Sequence, residues 1–176
     1  SFGFGIRSGL MNQQTVSIVP VIADDVVYTP DSTNFLLNGM RLHTKLIGRF
    51  YLENTLAAIA TSRALGLDWE LLRDAVARLE PVPGRMELID EGQSFAVIVD
   101  YAYEPAALSA LYESVKLIAH KRKIHVVGSA GGGRDVARRE ILGALCAKND
   151  DIVIVTNEDP YDDDPKEIIE DIARAT

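Results

Sequence analysis

Three short segments hold residue types that can do chemistry. They are Asp100-Tyr101-Ala102-Tyr103-Glu104-Pro105, residues 128–134 with the run Gly128-Ser129-Ala130-Gly131-Gly132-Gly133-Arg134, and residues 156–161. Each follows an apolar stretch. A glycine run between a strand and a helix offers backbone N–H groups to an anion. This run is neither G-x-G-x-x-G nor GxxxxGK[ST], so a plain glycine-rich turn accounts for it as well as a phosphate cradle does. The arginines behind it add a second signal. Arg134, at the mouth of the loop, can grip a carboxylate or phosphate through two parallel hydrogen bonds. Arg138 and Arg139 are expected in structural ion pairs. Asp100 closes an apolar strand, where an unpartnered carboxylate is costly to bury. It suits a pair of ribose hydroxyls, or else a turn or helix cap. His43, His120 and His125 share no metal-ligand spacing, and Cys146 is expected to pack in an amphipathic helix, so the spacing yields no metal set. The acidic run Asp162-Asp163-Asp164 is expected to be a solvated helix start, favourable to the helix dipole.

The elements that position these segments follow from periodicity. Residues 15–19, 25–29, 34–37 and 40–47 are short, β-branched and apolar, and turn residues separate them. Asn38-Gly39 predicts a two-residue hairpin turn, because both residues accept positive φ. Leu52, Leu56, Ile59 and Ala60 then fall on one helical face, as do Trp69, Leu72, Val76 and Leu79, with Gly66 between the two helices. Pro81-Val82-Pro83-Gly84 breaks any helix and marks a boundary. Residues 1–83 and 84–176 are therefore expected to be two regions. They hold 7 basic and 8 acidic side chains, and 11 and 18, respectively. Beyond the boundary, strands at 95–99, 123–127 and 152–155 alternate with helices opening at Pro105, near Val136 and at Pro165. That alternation predicts βαβ units in a mixed α/β, Rossmann-like domain. The apolar run 95–99 predicts a strand covered on both faces.

Composition excludes several classes. A net charge of −8 argues against a nucleic-acid partner. One cysteine excludes an intramolecular disulfide and a multi-cysteine zinc site. The apolar runs are far shorter than the ~20 residues of a membrane span, and residues 1–9 do not resemble a signal peptide. The expectation is a cytoplasmic protein with no membrane insertion.

Five motifs now fall into one order. Gly48-Arg49-Phe50-Tyr51-Leu52-Glu53-Asn54-Thr55-Leu56-Ala57-Ala58, Pro83-Gly84-Arg85-Met86-Glu87, Val99-Asp100-Tyr101-Ala102-Tyr103-Glu104-Pro105, Gly131-Gly132-Gly133-Arg134-Asp135 with Arg138-Arg139, and Thr156-Asn157-Glu158-Asp159-Pro160-Tyr161 resemble the successive motifs of the Mur ligases. They stand closest to the MurE type. The resemblance implies that residues 1–83 are the end of a central ATPase domain, and 84–176 the start of the C-terminal, amino-acid-binding domain. It implies an ATP-dependent ligase of peptidoglycan precursor synthesis that forms an amide bond through an acyl phosphate. Its partners would be UDP-N-acetylmuramoyl-dipeptide and a free amino acid, acting on a monomer. By position, Asn54, Arg85, Asp100 and Tyr103 would bind ATP, and Arg134, Asp159 and Tyr161 the incoming amino acid.

The chain departs from the family at Tyr51 and Asp159, which replace asparagines, at Tyr103, which replaces a histidine, at Gly133, which replaces an aspartate, and at Tyr161, which replaces an arginine. The family's GxxGKT loop, its Mg²⁺ ligands and its carbamylated lysine are expected upstream of Ser1, so the chain by itself is expected to be inactive, with no catalytic or metal-binding residue of its own. Neutral Tyr161 among Glu158, Asp159, Asp162, Asp163 and Asp164 predicts an amine-ended substrate, lysine or ornithine, over meso-diaminopimelate. The alternatives are a cyanophycin or folylpolyglutamate synthetase type of ligase, or a noncatalytic, degenerate nucleotide-binding homologue.

Overall fold

A computed structural model of the chain describes residues 20–176. The strand expected at 15–19 lies outside the described residues. The chain divides into two compact units, one ending at Glu87 and the other running from Leu88 to Thr176.

In the first unit, β1 (Asp24–Tyr28), β2 (Thr33–Leu37) and β3 (Met40–Thr44) form an antiparallel sheet in that order. Asn38 and Gly39 both have positive φ, 50° and 75°, and Leu37 pairs directly with Met40. The Asn-Gly turn is thus the tight hairpin its residues predict. Period two follows. Thr33, Phe35 and Leu37 point into the core from β2, with Leu42 from β3. β3 ends at Thr44, short of the expected 47, but Leu46 and Ile47 stay buried, and the Leu46 carbonyl accepts from the Thr33 hydroxyl at 2.7 Å. The helices α1 (Arg49–Ala64) and α2 (Trp69–Ala77) cover this face with Leu52, Leu56, Ile59 and Ala60, and with Leu72 and Val76. Thr33, Thr44 and Thr55 are buried beside this cluster.

The second unit is mixed α/β. Its elements are β4 (Glu87–Ile89), whose first residue lies at the boundary, β5 (Val97–Val99), α3 (Pro105–Val115), β6 (Ile124–Val127), α4 (Ala137–Asn149), β7 (Ile152–Val155) and α5 (Pro165–Ala173). β6 and β7 pair in parallel, Ile124 with Ile152 through Val127 with Val155. Leu108, Tyr112, Leu142, Cys146, Ile168 and Ile172 from the three helices pack with Val127 of β6. Gly143 sets the spacing of α4 and α5, because a Cβ there would stand 2.3 Å from the Ile172 carbonyl oxygen.

Two expectations need correction. β4, just beyond the Pro81–Gly84 boundary, is a strand that the sequence reading did not give, and it is the hydrogen-bonded partner of β5. The strand at 95–99 is shorter than its apolar run: Phe95 precedes it, and both Phe95 and Val99 are exposed. Likewise Ile124, Val126, Ile152 and Ile154 lie exposed on the β6–β7 face away from the helices. Among the described residues, the helices cover one face of this sheet only.

The core of this unit also holds a polar knot. The Tyr112 hydroxyl donates to the Asp150 carboxylate and lies 2.9 Å from His125 Nδ1. The same nitrogen is 3.1 Å from Asp150 Oδ2 and 3.5 Å from Cys146 Sγ. Burial, reinforced by the Asp150 carboxylate, raises the Tyr112 phenol far above the ordinary tyrosine range.

Candidate functional site

The loops that follow β5, β6 and β7 lie at the carboxyl ends of their strands, where open α/β sheets bind ligands. Two of them touch directly. The Gly131 N–H donates to the Asp159 carbonyl at 2.9 Å, and a Cβ on Gly131 would stand 2.2 Å from the Pro160 carbonyl oxygen. Gly132, at φ 68°, lies beneath the Tyr161 ring, which a Cβ would meet at 2.9 Å. Only glycine allows this approach. It brings the loop that carries Arg134 against the loop that carries Asp159 and Tyr161.

The third loop is tied in by Arg138. Its guanidinium pairs with Glu104 at 2.5 Å and lies 5.2 Å from the Tyr103 ring centroid. Tyr103 stands edge-on to Tyr101 at 5.2 Å. Arg139 pairs with Asp163 at 3.1 Å and Asp171 at 3.0 Å, which fastens the loop after β7 and α5 to α4. Both arginines are about 5% exposed. Arg138 and Arg139 therefore fill the structural role expected of them. Arg134 differs: it is exposed and, among the described residues, makes no ion pair.

Asp164 caps α5, its carboxylate accepting from the Lys166 N–H at 2.9 Å. This matches the expected helix start. Asp163 does not, because it is a partner of Arg139. Within the segments singled out, sequence reasoning gave no role to Glu104, or to Ser129, whose buried hydroxyl has no hydrogen-bond partner among the described residues. Partners 34 and 24 positions apart leave no local spacing signal.

The remaining predicted residues divide between the units. Asp100 is partly buried just after β5, in the second unit. Asn54 is exposed on α1 and Arg85 exposed beyond α2, both in the first unit. Tyr51, where the family has asparagine, is buried, and its hydroxyl donates to the Arg85 carbonyl at 2.5 Å. The substitution thus fixes the Pro83–Met86 turn to α1. Gly84, at φ 71°, donates its N–H to Glu87 at 2.7 Å and completes that turn.

Residues 84–176 match the family described as "Mur ligase, glutamate ligase domain". Among curated proteins, the chain is 42% identical over 146 residues to the UDP-N-acetylmuramoyl-L-alanyl-D-glutamate–2,6-diaminopimelate ligase of Syntrophomonas wolfei, covering 81% of this chain and 30% of that protein. It is 38% identical over 156 residues to the ligase of the same name from Geobacillus kaustophilus, covering 86% and 32%. A solved structure of a ligase with that name superposes with a TM-score of 0.52 at 28% identity, covering 88% of this chain and 32% of the other. The chain spans about a third of the length of these relatives. No helix among the described residues is long and apolar enough to cross a membrane. With the motifs in order, the strand-end loops assembled and the domain matched over 84–176, the chain belongs to the Mur ligase family.

Proposed function

We propose that the complete protein is a cytoplasmic, monomeric, ATP-dependent ligase that adds an amino acid to UDP-N-acetylmuramoyl-dipeptide, and that the joined loops after β6 and β7 receive that amino acid. The observation that carries this is the exposed Arg134, which makes no ion pair among the described residues, on a loop held against Asp159 and Tyr161. A guanidinium there would grip the α-carboxylate of the incoming amino acid in a bidentate fashion. That leaves its amine to attack an acyl phosphate, form a tetrahedral intermediate and expel phosphate. Asp100 and Tyr103 in the second unit, and Asn54 and Arg85 in the first, are proposed to serve ATP. Asp100 suits the ribose hydroxyls, and the exposed Tyr101–Tyr103 pair offers aromatic surface at the same strand end.

Mg²⁺ is a different matter. Among the described residues, the one group of three candidate metal ligands is His125, Cys146 and Asp150. A set containing thiolate and imidazole is a poor match for a cation that demands oxygen ligands. No step is assigned to Mg²⁺ on these residues.

For the side chain of the added amino acid, the neutral Tyr161 amid Glu158, Asp159 and Asp162 favours an amine-ended substrate, lysine or ornithine. The second candidate is diaminopimelate, which the relatives' names favour. The test is a ligation assay with the complete protein. The expected result is that Arg134→Lys raises the amino-acid KM by tenfold or more while the ATP KM stays within a factor of two, because an ammonium cannot form the fork. Equal changes in both would refute the clamp. A higher kcat/KM for diaminopimelate than for lysine and ornithine would leave the clamp standing and overturn the amine-ended preference.

A further inference from the structure

The loop after β5 is fixed by a seam between two helices. α3 follows β5 and α4 follows β6, so both helices begin at the carboxyl ends of strands. Side chains four positions apart share a helix face. On α3 that face carries Leu108 and Tyr112, with Glu104 one turn earlier as the residue before the helix. On α4 it carries Arg138, Leu142 and Cys146. Leu108, Tyr112, Leu142 and Cys146 pack in one buried cluster. Continued toward the strand ends, the seam closes on Glu104 and Arg138, which pair at 2.5 Å. The packing beneath them thus brings Arg138 to the loop after β5.

This placement has a cost. Arg138 is buried while Glu104 is half-exposed, and Arg138 Nε has no hydrogen-bond partner among the described residues. An ion pair left at the surface would have kept that donor in water. What the buried position gains is a second contact. The guanidinium lies 5.2 Å from the Tyr103 ring centroid, within cation–π range. Tyr101 meets the same ring edge-on at 5.2 Å. Two neighbours hold the Tyr103 ring, yet Tyr103 is still 36% exposed. A fixed, partly exposed ring is a stacking surface for a nucleobase, whose π-face needs no hydrogen-bond code.

We propose that Arg138 is a positioning residue for ATP: by its pair with Glu104 and its contact with Tyr103, it sets the Tyr103 ring as the platform on which the adenine base stacks. This rests on the reading that Tyr103 serves ATP. A planar guanidinium can hold Glu104 and lie against the ring at once, whereas a lysine ammonium is a point charge and cannot do both. Arg138 stands four positions after Arg134, but its effect falls on the nucleotide and not on the amino acid.

The experiment is the ligation assay on the complete protein, with each substrate varied in turn. Arg138→Lys should raise the ATP KM about tenfold and leave the amino-acid KM within about a factor of two. Tyr103→Ala should raise the ATP KM at least as much. In the Tyr103→Ala background, Arg138→Lys should then add less than about twofold, because its effect passes through the ring. Full additivity would overturn the proposal. So would an unchanged ATP KM in Arg138→Lys, or equal rises in both KM values, which would make Arg138 a matter of general packing. A wild-type ATP KM in Tyr103→Ala would remove the base platform and this proposal with it, while the Arg134 clamp keeps its own test. If Arg138→Lys fails to fold, Glu104→Gln loosens the same grip from a half-exposed residue. A raised ATP KM is expected there, and an unchanged one would overturn the proposal.

Discussion

The two units hold themselves together by different means. The first closes a three-stranded sheet with two helices over Phe35, Leu37, Leu42, Leu56 and Ile59, and among the described residues it buries threonine hydroxyls but no charged side chain. The second buries Arg138 and Arg139 of α4 and places Tyr112, His125, Cys146 and Asp150 among its aliphatic side chains. Apolar contacts are non-directional and tolerate rearrangement. Buried charges demand particular partners at particular distances. The second unit thus uses ion pairs to set the positions of its loops, at the cost of desolvating the arginines. The first unit needs no such aiming, and its polar tether, Tyr51 to Arg85, fixes one turn.

Three substitutions probe this contrast, in descending order of effect. Phe35→Ala removes a ring from the centre of the apolar core and should cost about 3–5 kcal/mol. Trp69, the one tryptophan in the chain, packs against that core under Arg63, 4.7 Å from its ring, so its fluorescence during urea unfolding measures the loss. A cost below ~1 kcal/mol would mean that the core is not the anchor of this unit. Arg139→Met tests the second unit. Breaking a fully buried pair costs about 3–5 kcal/mol, but Asp163 and Asp171 are 38% and 29% exposed and can take up water. We expect about 1–2 kcal/mol by circular dichroism. The amino-acid KM of the complete protein should rise at the same time, because the loop after β7 loses its fastening. An unchanged KM with reduced stability would make Arg139 a matter of packing alone. The smallest effect is expected from Tyr51→Phe, which deletes one hydroxyl and should cost about 0.5–1.5 kcal/mol in the same urea assay. A larger loss would show that the turn at Gly84 carries more of the first unit's stability than its single bond suggests.

The hairpin, the helices and β7 were legible in the sequence because each rests on a local rule. Asn38-Gly39 accepts positive φ, Leu52 to Ala60 repeat at the helical period, and Pro165 opens α5 after Asp164. β4 was not legible, because Pro81, Pro83 and Gly84 mask the short Glu87–Ile89 run and its partner lies beyond another turn. The apolar run at 95–99 suggested a strand buried on both faces, whereas its exposure depends on what packs over it, and no residue within the run encodes that. The five motifs placed Arg134, Asp159 and Tyr161 in order along the chain. That their loops touch follows from the space left by Gly131 and Gly132, a property of two segments together. The knot around His125 was invisible for the same reason: Tyr112, His125, Cys146 and Asp150 meet only when α3 and α4 fold back beside β6.

The Asn38-Gly39 turn has a consequence for time as well as for shape. Leu37 and Met40 pair only three positions apart, so the β2–β3 ribbon can zip from its own turn within roughly 1–10 μs. β6 has no such start. Its register with β7 begins where the Lys123 N–H reaches Asp151, 28 positions away, with all of α4 between. The first unit thus has a seed that forms before its long-range contacts, and the second must assemble helix and strands together. Gly39→Ala should therefore slow the appearance of the folded Trp69 signal more than it speeds its loss.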